Sequence, residues 1–250
     1  MEELHSKTPE PQEVSFSEAR EWLDRKWVTA RFREDKVDWE MRARAGFHPV
    51  EELRKAKGPT VEVAGPTDEG FFFHDIKEDM AQPHKTDLFK ERKVFVSNLF
   101  SGRPEFAKDK FSHFTGTADF IADAQKLPAR EGRVGVLFCS CIGPIGTTGM
   151  EKMRKLGFEK TVSRIELERE AAIKSDIVVE ESAHLREEVF QEARRVLRAG
   201  GLFIWQGGLP DDLKFALNSG FILLQIERRK TASGTELAPK MIFQKKYKEK

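Results

Sequence analysis

Five short runs rich in Val, Ile, Leu and Phe, at 60–64, 93–100, 118–122, 134–142 and 202–206, alternate with stretches of helical character along the chain. Within these runs the apolar residues are nearly continuous. A strand with one wet face alternates apolar and polar residues, whereas a continuous apolar run is the pattern of a parallel strand covered by helices on both sides. The helical segments are clearest at 151–155, 163–174 and 184–199, the last running into Gly200-Gly201. Strands alternating with helices imply right-handed crossovers and a doubly wound parallel sheet. The alternation stops at 221–229 and 240–247, two strand-like runs joined by 230–239, which contains Ser233-Gly234 and has no room for a crossover helix. Such a pair is antiparallel. The expected fold is α/β: a doubly wound, mostly parallel seven-stranded sheet with helices on both faces and a C-terminal antiparallel hairpin.

Ahead of this pattern, 1–57 is polar and charged, but Phe16, Ala19, Trp22 and Leu23 recur at helical spacing, with Ser15 or Ser17 as a cap. A second helical stretch, 50–57, stops at Gly58-Pro59, where proline forbids continuation. The chain therefore divides into a helical N-terminal extension, 1–57, which Trp22, Trp27 and Trp39 would dock, and one domain, 58–250. A length of 250 residues suits this arrangement. Residues 143–182, after the fourth expected strand, form an insertion suited to covering a crevice. Its opening, Gly143-Pro144-Ile145-Gly146-Thr147-Thr148-Gly149, lacks the Gly-Lys-Ser/Thr ending of a triphosphate cradle.

Charge narrows the function classes. The 43 basic and 42 acidic side chains leave a formal charge of +1, so no global field draws the chain to nucleic acid or an anionic membrane. The lysines at 245, 246, 248 and 250 read as a solvated end. No apolar run is long enough for a membrane span, and the expected compartment is the cytoplasm. Cys139 and Cys141, separated by one residue in an apolar run, suit neither a disulfide nor a zinc site, and no metal is expected.

Four stretches then resemble, in order, the motifs of class I S-adenosylmethionine-dependent methyltransferases, over about 59–248. They are Val61-Glu62-Val63-Ala64-Gly65-Pro66-Thr67, Ala122-Asp123-Ala124-Gln125-Lys126-Leu127-Pro128, Gly132-Arg133-Val134-Gly135-Val136-Leu137-Phe138-Cys139-Ser140, and Ala193-Arg194-Arg195-Val196-Leu197-Arg198-Ala199-Gly200-Gly201. In an open parallel sheet a ligand lies beyond the carboxyl ends of the strands, where strand order reverses. The resemblance implies S-adenosyl-L-methionine as the cofactor there. Glu62, Ala64, Gly65 and Thr67 would hold its methionyl part after the first strand, and Ser97 and Asn98 would meet the ribose after the second. The Asp123 carboxylate and the Ala124 N–H would read the adenine edge, while Cys139 and Ser140 would lie beside the methyl group. The sequence departs from the family pattern at Ala64, Pro66 and Asp68 in the first loop, at Ser97-Asn98 where an acid is usual, and at Gly135 in the fourth strand. The branch is a divergent one.

The resemblance implies methyl transfer by direct in-line displacement, which needs no base when the acceptor is already nucleophilic. No catalytic residue is assigned: His184 before a helix reads as a surface or capping residue, and the cysteines as buried small side chains. An acceptor that is a small molecule or a protein side chain is favoured over nucleic acid, because the fourth strand lacks an Asn/Asp-Pro-Pro-aromatic signature. A nicotinamide enzyme is disfavoured by Asp68 and Glu69, which would face its pyrophosphate. The alternative is a module that binds S-adenosylmethionine without turnover.

Overall fold

The computed structural model describes residues 15–23, 37–64, 88, 92–98, 118–139, 176–206, 210–231, 234 and 236–247. One eight-stranded sheet organises them. Its strands are β1 (Val37–Ala43), β2 (Thr60–Val63), β3 (Val94–Asn98), β4 (Phe120–Ile121), β5 (Val134–Cys139), β6 (Leu197–Gln206), β7 (Phe221–Thr231) and β8 (Glu236–Lys245), in the spatial order β1-β7-β8-β6-β5-β2-β3-β4. Strands β4, β3, β2, β5 and β6 pair in parallel, and β8 runs antiparallel to both β6 and β7. The mostly parallel sheet and the antiparallel pair at 221–231 and 236–245 agree with the sequence pattern. That pair does not end the sheet, however: β8 inserts between β6 and β7, and the edge beyond β7 is β1.

The eighth strand corrects the reading of the N-terminal extension as helical. Helices α1 (Phe16–Leu23) and α2 (Pro49–Lys55) do form, but β1 lies between them and pairs antiparallel with β7 from Val37↔Thr231 to Ala43↔Gln225. The Ser15 hydroxyl accepts the Glu18 N–H at 3.2 Å and so caps α1. Glu18 then pairs with Arg42 of β1 at 3.0 Å, and Glu40 with Arg228 of β7 at 2.5 Å.

Alternation along the central strands divides the core between two faces. Val61, Val63, Leu137, Cys139, Phe203, Trp205 and Phe243 pack against α1, α3 (Asp176–Val196) and α4 (Pro210–Asn218). Phe190 of α3 sits at their centre, its ring 4.9 Å from that of Trp205 and 5.2 Å from that of Phe203. Val136, Phe138, Leu202 and Ile204 meet Leu53 of α2 on the other face. Continuous apolar strands are thus explained by burial on both sides.

Helix α3 ends at Val196, short of the Gly200-Gly201 stop expected from sequence, and Leu197 already pairs with Val134. Pairing resumes at Val136↔Leu202, so residues 198–201 bulge out of the ladder. The glycines serve that bulge: a Cβ on Gly201 would meet the Arg198 and Gly135 carbonyl oxygens at 2.9 and 3.1 Å. The expected helices at 151–155 and 163–174 lie outside the described residues, as does the expected insertion up to 175; its last residues, 176–182, open α3.

Candidate functional site

Strand order reverses between β2 and β5, with β3 and β4 on one side and β6 on the other. Register brings the carboxyl ends of these strands to one edge: Val63 is level with Ser97 and Cys139, and Asn98 with Ile121. This is where an open α/β sheet offers a ligand crevice. Glu62, Ala64, Ser97, Asn98, Asp123, Ala124 and Cys139 all fall along that edge. Gly65, Thr67 and Ser140 lie outside the described residues.

Glu62 is fully buried in β2, level with Val96 on one side and Phe138 on the other. After Val63 the chain turns sharply, and Ala64 takes φ +61°, the one positive φ among the described non-glycine residues. A left-handed conformation costs an L-residue about 1–2 kcal/mol. The turn that follows β2 therefore holds local strain, as backbone at ligand sites often does.

Ser97 is fully buried, and its hydroxyl donates to the Glu62 carbonyl at 3.3 Å, tying β3 to β2. The Asn98 carbonyl accepts the Ala122 N–H at 2.9 Å, which extends the β3–β4 pairing toward Asp123. The Asp123 side chain is exposed; one carboxylate oxygen accepts the Gln125 N–H at 3.0 Å while its carbonyl accepts the Lys126 N–H at 3.0 Å. It therefore caps its own turn, with the side chain exposed beside the end of β4. Cys139 is sunk in the core, and burial, together with the nearby charge of Asp212, pushes its thiol well above its ordinary pKa. It is a neutral packing side chain at the carboxyl end of β5.

Several supporting residues escaped the sequence reading. Helix α3 braces the turn that follows β4: Glu188 accepts from the Gln125 amide, Glu192 accepts the Leu127 N–H at 2.6 Å, and Arg195 donates to the Ala129 and Leu127 carbonyls at 2.8 and 2.9 Å. The bond to Glu192 is also the main reason the Arg195 pKa is raised. These residues stand at i, i+4 and i+7 on one helix face, a spacing visible in the sequence. His184, read as preceding a helix, lies within α3, exposed and 3.3 Å from Glu188.

A second brace sits beneath β6. Asp212 of α4, fully buried, accepts from Arg186 at 2.7 Å and from the Trp205 indole at 2.9 Å, while the Arg186 guanidinium lies 5.9 Å from the Phe215 ring centroid. On the opposite face Gln206 ends β6 with 2% exposure, and neither atom of its amide finds a hydrogen-bond partner among the described residues.

No protein-family model matches the chain, and no curated protein does. Among solved structures it is similar to the protein PH0851, with 13% identity and a TM-score of 0.46 over 79% of this chain and 44% of that one, less than half its length. It is also similar to a SAM-dependent methyltransferase from Methanosarcina mazei, with 9% identity and a TM-score of 0.40 over 81% of this chain and 99% of that one. A third is the geranyl diphosphate C-methyltransferase from Streptomyces coelicolor, with 10% identity and a TM-score of 0.39 over 78% of each chain. At such identities and scores the functional assignment rests on the chain's own strand order and site residues.

Proposed function

We propose that the chain is an S-adenosylmethionine-dependent methyltransferase that acts on a small molecule or a protein side chain. The observation that carries this reading is the gathering of three of the motif stretches, from different parts of the sequence, at the edge where strand order reverses. Buried Glu62, left-handed Ala64, the Ser97-Asn98 pair and the exposed Asp123 carboxylate fit the chemistry of the ligand. It has an ammonium to be met by an acid, ribose hydroxyls to be met by hydrogen-bonding side chains, and an adenine amine to be met by an acceptor.

When bound, S-adenosylmethionine supplies a methyl group on a positively charged sulfur. The chain's part is positioning: Glu62 and the turn at Ala64 hold one end, Asp123 and the Ala124 N–H hold the other, and the bracing by α3 keeps that second end in place. In-line displacement onto a nucleophilic acceptor gains most of its rate from such orientation. The thiol of Cys139, buried and with its pKa raised, is poorly suited to act as a nucleophile.

The test is a thermal melt followed by a transfer assay. S-adenosylhomocysteine is expected to raise the melting temperature and NAD to leave it unchanged, since only a ligand of the folded state stabilises it. Labelled methyl from S-adenosylmethionine should then appear in a metabolite or protein extract. Stabilisation by NAD alone would overturn the assignment. Neutral Ser97-Asn98 at the end of β3 favours a second reading, a binding module without turnover. Stabilisation by S-adenosylhomocysteine without methyl transfer to any extract would select it.

A further inference from the structure

At the opposite end of the same strands, where β2 and β3 begin, lies a cavity of about 860 Å³ formed by the end of α2, the link from α2 to β2, and the start of β3. Of the ten described residues that line it, five are cations, Arg54, Lys55, Lys57, Arg92 and Lys93, and none of the ten is acidic. The chain as a whole is balanced at +1, so this is a local concentration of charge that composition does not explain. Cations gathered around a concave surface repel one another and focus a positive field into it, which an anion relieves.

The cations differ in what already engages them. Arg92 donates to the Leu53 and Arg54 carbonyls at 2.5 and 3.0 Å, so it satisfies the end of α2 and offsets the negative pole of that helix. Burial lowers its pKa, the mark of a charge short of solvent. Lys55 pairs with Glu52 at 3.1 Å and Glu51 at 3.5 Å, but the lysine is well exposed and such pairs are weak. Arg54, Lys57 and Lys93 are exposed around the same space. Phe95, 40% exposed, adds an aromatic surface.

We propose that this cavity binds a small organic di- or oligophosphate, with its phosphates among the cations and a planar ring against Phe95. The size falls in the range of single-ligand sites, about 300–1,000 Å³. A nucleic acid would instead call for a charged track along the surface that follows the strand. The proposal is independent of the methyltransferase assignment, because the cavity lies at the other end of β2 and β3.

The experiment is calorimetric titration of the full chain with inorganic pyrophosphate, uridine diphosphate and a ten-nucleotide oligouridylate, each at low and moderate salt. Uridine diphosphate is expected to bind more tightly than pyrophosphate, and both to weaken as salt rises. Joint reversal by Lys57→Glu and Lys93→Glu, both at exposed positions, should weaken both diphosphates at least tenfold without changing S-adenosylhomocysteine affinity. Phe95→Leu, which keeps an apolar strand residue, should bring uridine diphosphate down to the level of pyrophosphate. The proposal is overturned if neither diphosphate binds at millimolar concentration, or if a reversed variant that melts like the parent binds them as tightly. Tighter binding of the oligouridylate than of uridine diphosphate would also overturn it, in favour of nucleic acid.

Discussion

Glu192 accepts the Leu127 N–H at 2.6 Å and with the same carboxylate holds Arg195 at 2.6 and 2.7 Å. One buried side chain of α3 thus fixes the turn that presents Asp123. Glu192→Ala leaves the buried Leu127 N–H without that acceptor and releases Arg195 from its bond. An orphaned buried donor costs about 1–3 kcal/mol. Urea unfolding should show a loss of that order, and the S-adenosylhomocysteine dissociation constant should rise although Glu192 itself is not assigned to the ligand. Unchanged affinity in the folded variant would show that the brace does not position the site.

Asp123 tests the site directly. Asp123→Ala removes an exposed carboxylate that caps its own turn, so a small loss of stability and a large loss of affinity are expected. A hydrogen bond to a charged group is worth about 1.5–3 kcal/mol, roughly ten- to a hundredfold in dissociation constant. Asp123→Asn keeps an oxygen acceptor and should fall between alanine and the parent. If calorimetry finds alanine binding S-adenosylhomocysteine like the parent, the adenine end has been placed wrongly.

Ala64 carries strain that glycine would not. Its φ of +61° disfavours any Cβ. Ala64→Gly should therefore stabilise the chain by about 1 kcal/mol, the left-handed penalty less the added freedom of the unfolded glycine. Ala64→Val should destabilise it, since β-branching worsens the same conformation. A denaturation midpoint that falls with glycine would show that the Ala64 methyl contributes more by packing than it costs in strain.

Cys139 makes a prediction about pH. Its folded pKa is raised above the ordinary 9.0 by burial first and by the Asp212 charge second. The folded chain therefore holds the thiol proton more tightly than the unfolded chain. The stability linked to this group is fully present below about pH 9 and is lost as pH rises through the interval above it. Cys139→Ala should flatten that part of the stability profile, and in a Cys141→Ser background the Cys139 thiol should resist alkylation near neutral pH. Rapid alkylation of Cys139 in that background would contradict the burial.

The two central strands of the site, Thr60–Val63 and Val134–Cys139, were legible because they are buried on both faces, with every residue buried. The crevice residues could be placed because they end such strands. The edge strand was equally visible in principle: Val37-Asp38-Trp39-Glu40-Met41-Arg42-Ala43 alternates apolar and charged residues, the period of a half-buried strand, but it was read within a helical extension. Gly200-Gly201 misled because a glycine pair after a helix suits a cap as well as a bulge, and only the pairing of Leu197 with Val134 separates the two. Lys240 could not be read at all. It is fully buried level with Glu227 and Gln206, a row created by cross-strand register that local pattern does not reveal.

Gly135 shows how closely the backbone is packed at the other end of the sheet. Its N–H donates to the Pro59 carbonyl at 2.9 Å, and a Cβ there would lie 2.1 Å from the Lys57 carbonyl oxygen and 2.8 Å from its carbon. Those atoms are backbone, so no rotamer change relieves the clash; the link from α2 to β2 would have to move away from β5. This close passage gives a physical reason for glycine where the resembling family commonly has an acid. Gly135→Ala should therefore cost about 3 kcal/mol or more, at or beyond the upper end of usual overpacking penalties. Gly132 is the control, with φ +68° and nothing within 4 Å of the added carbon. Gly132→Ala should lose only the dihedral penalty of about 1–2 kcal/mol. Urea unfolding of both variants separates crowding from strain: equal losses would mean that the link yields easily, and that close packing is not what demands glycine in β5.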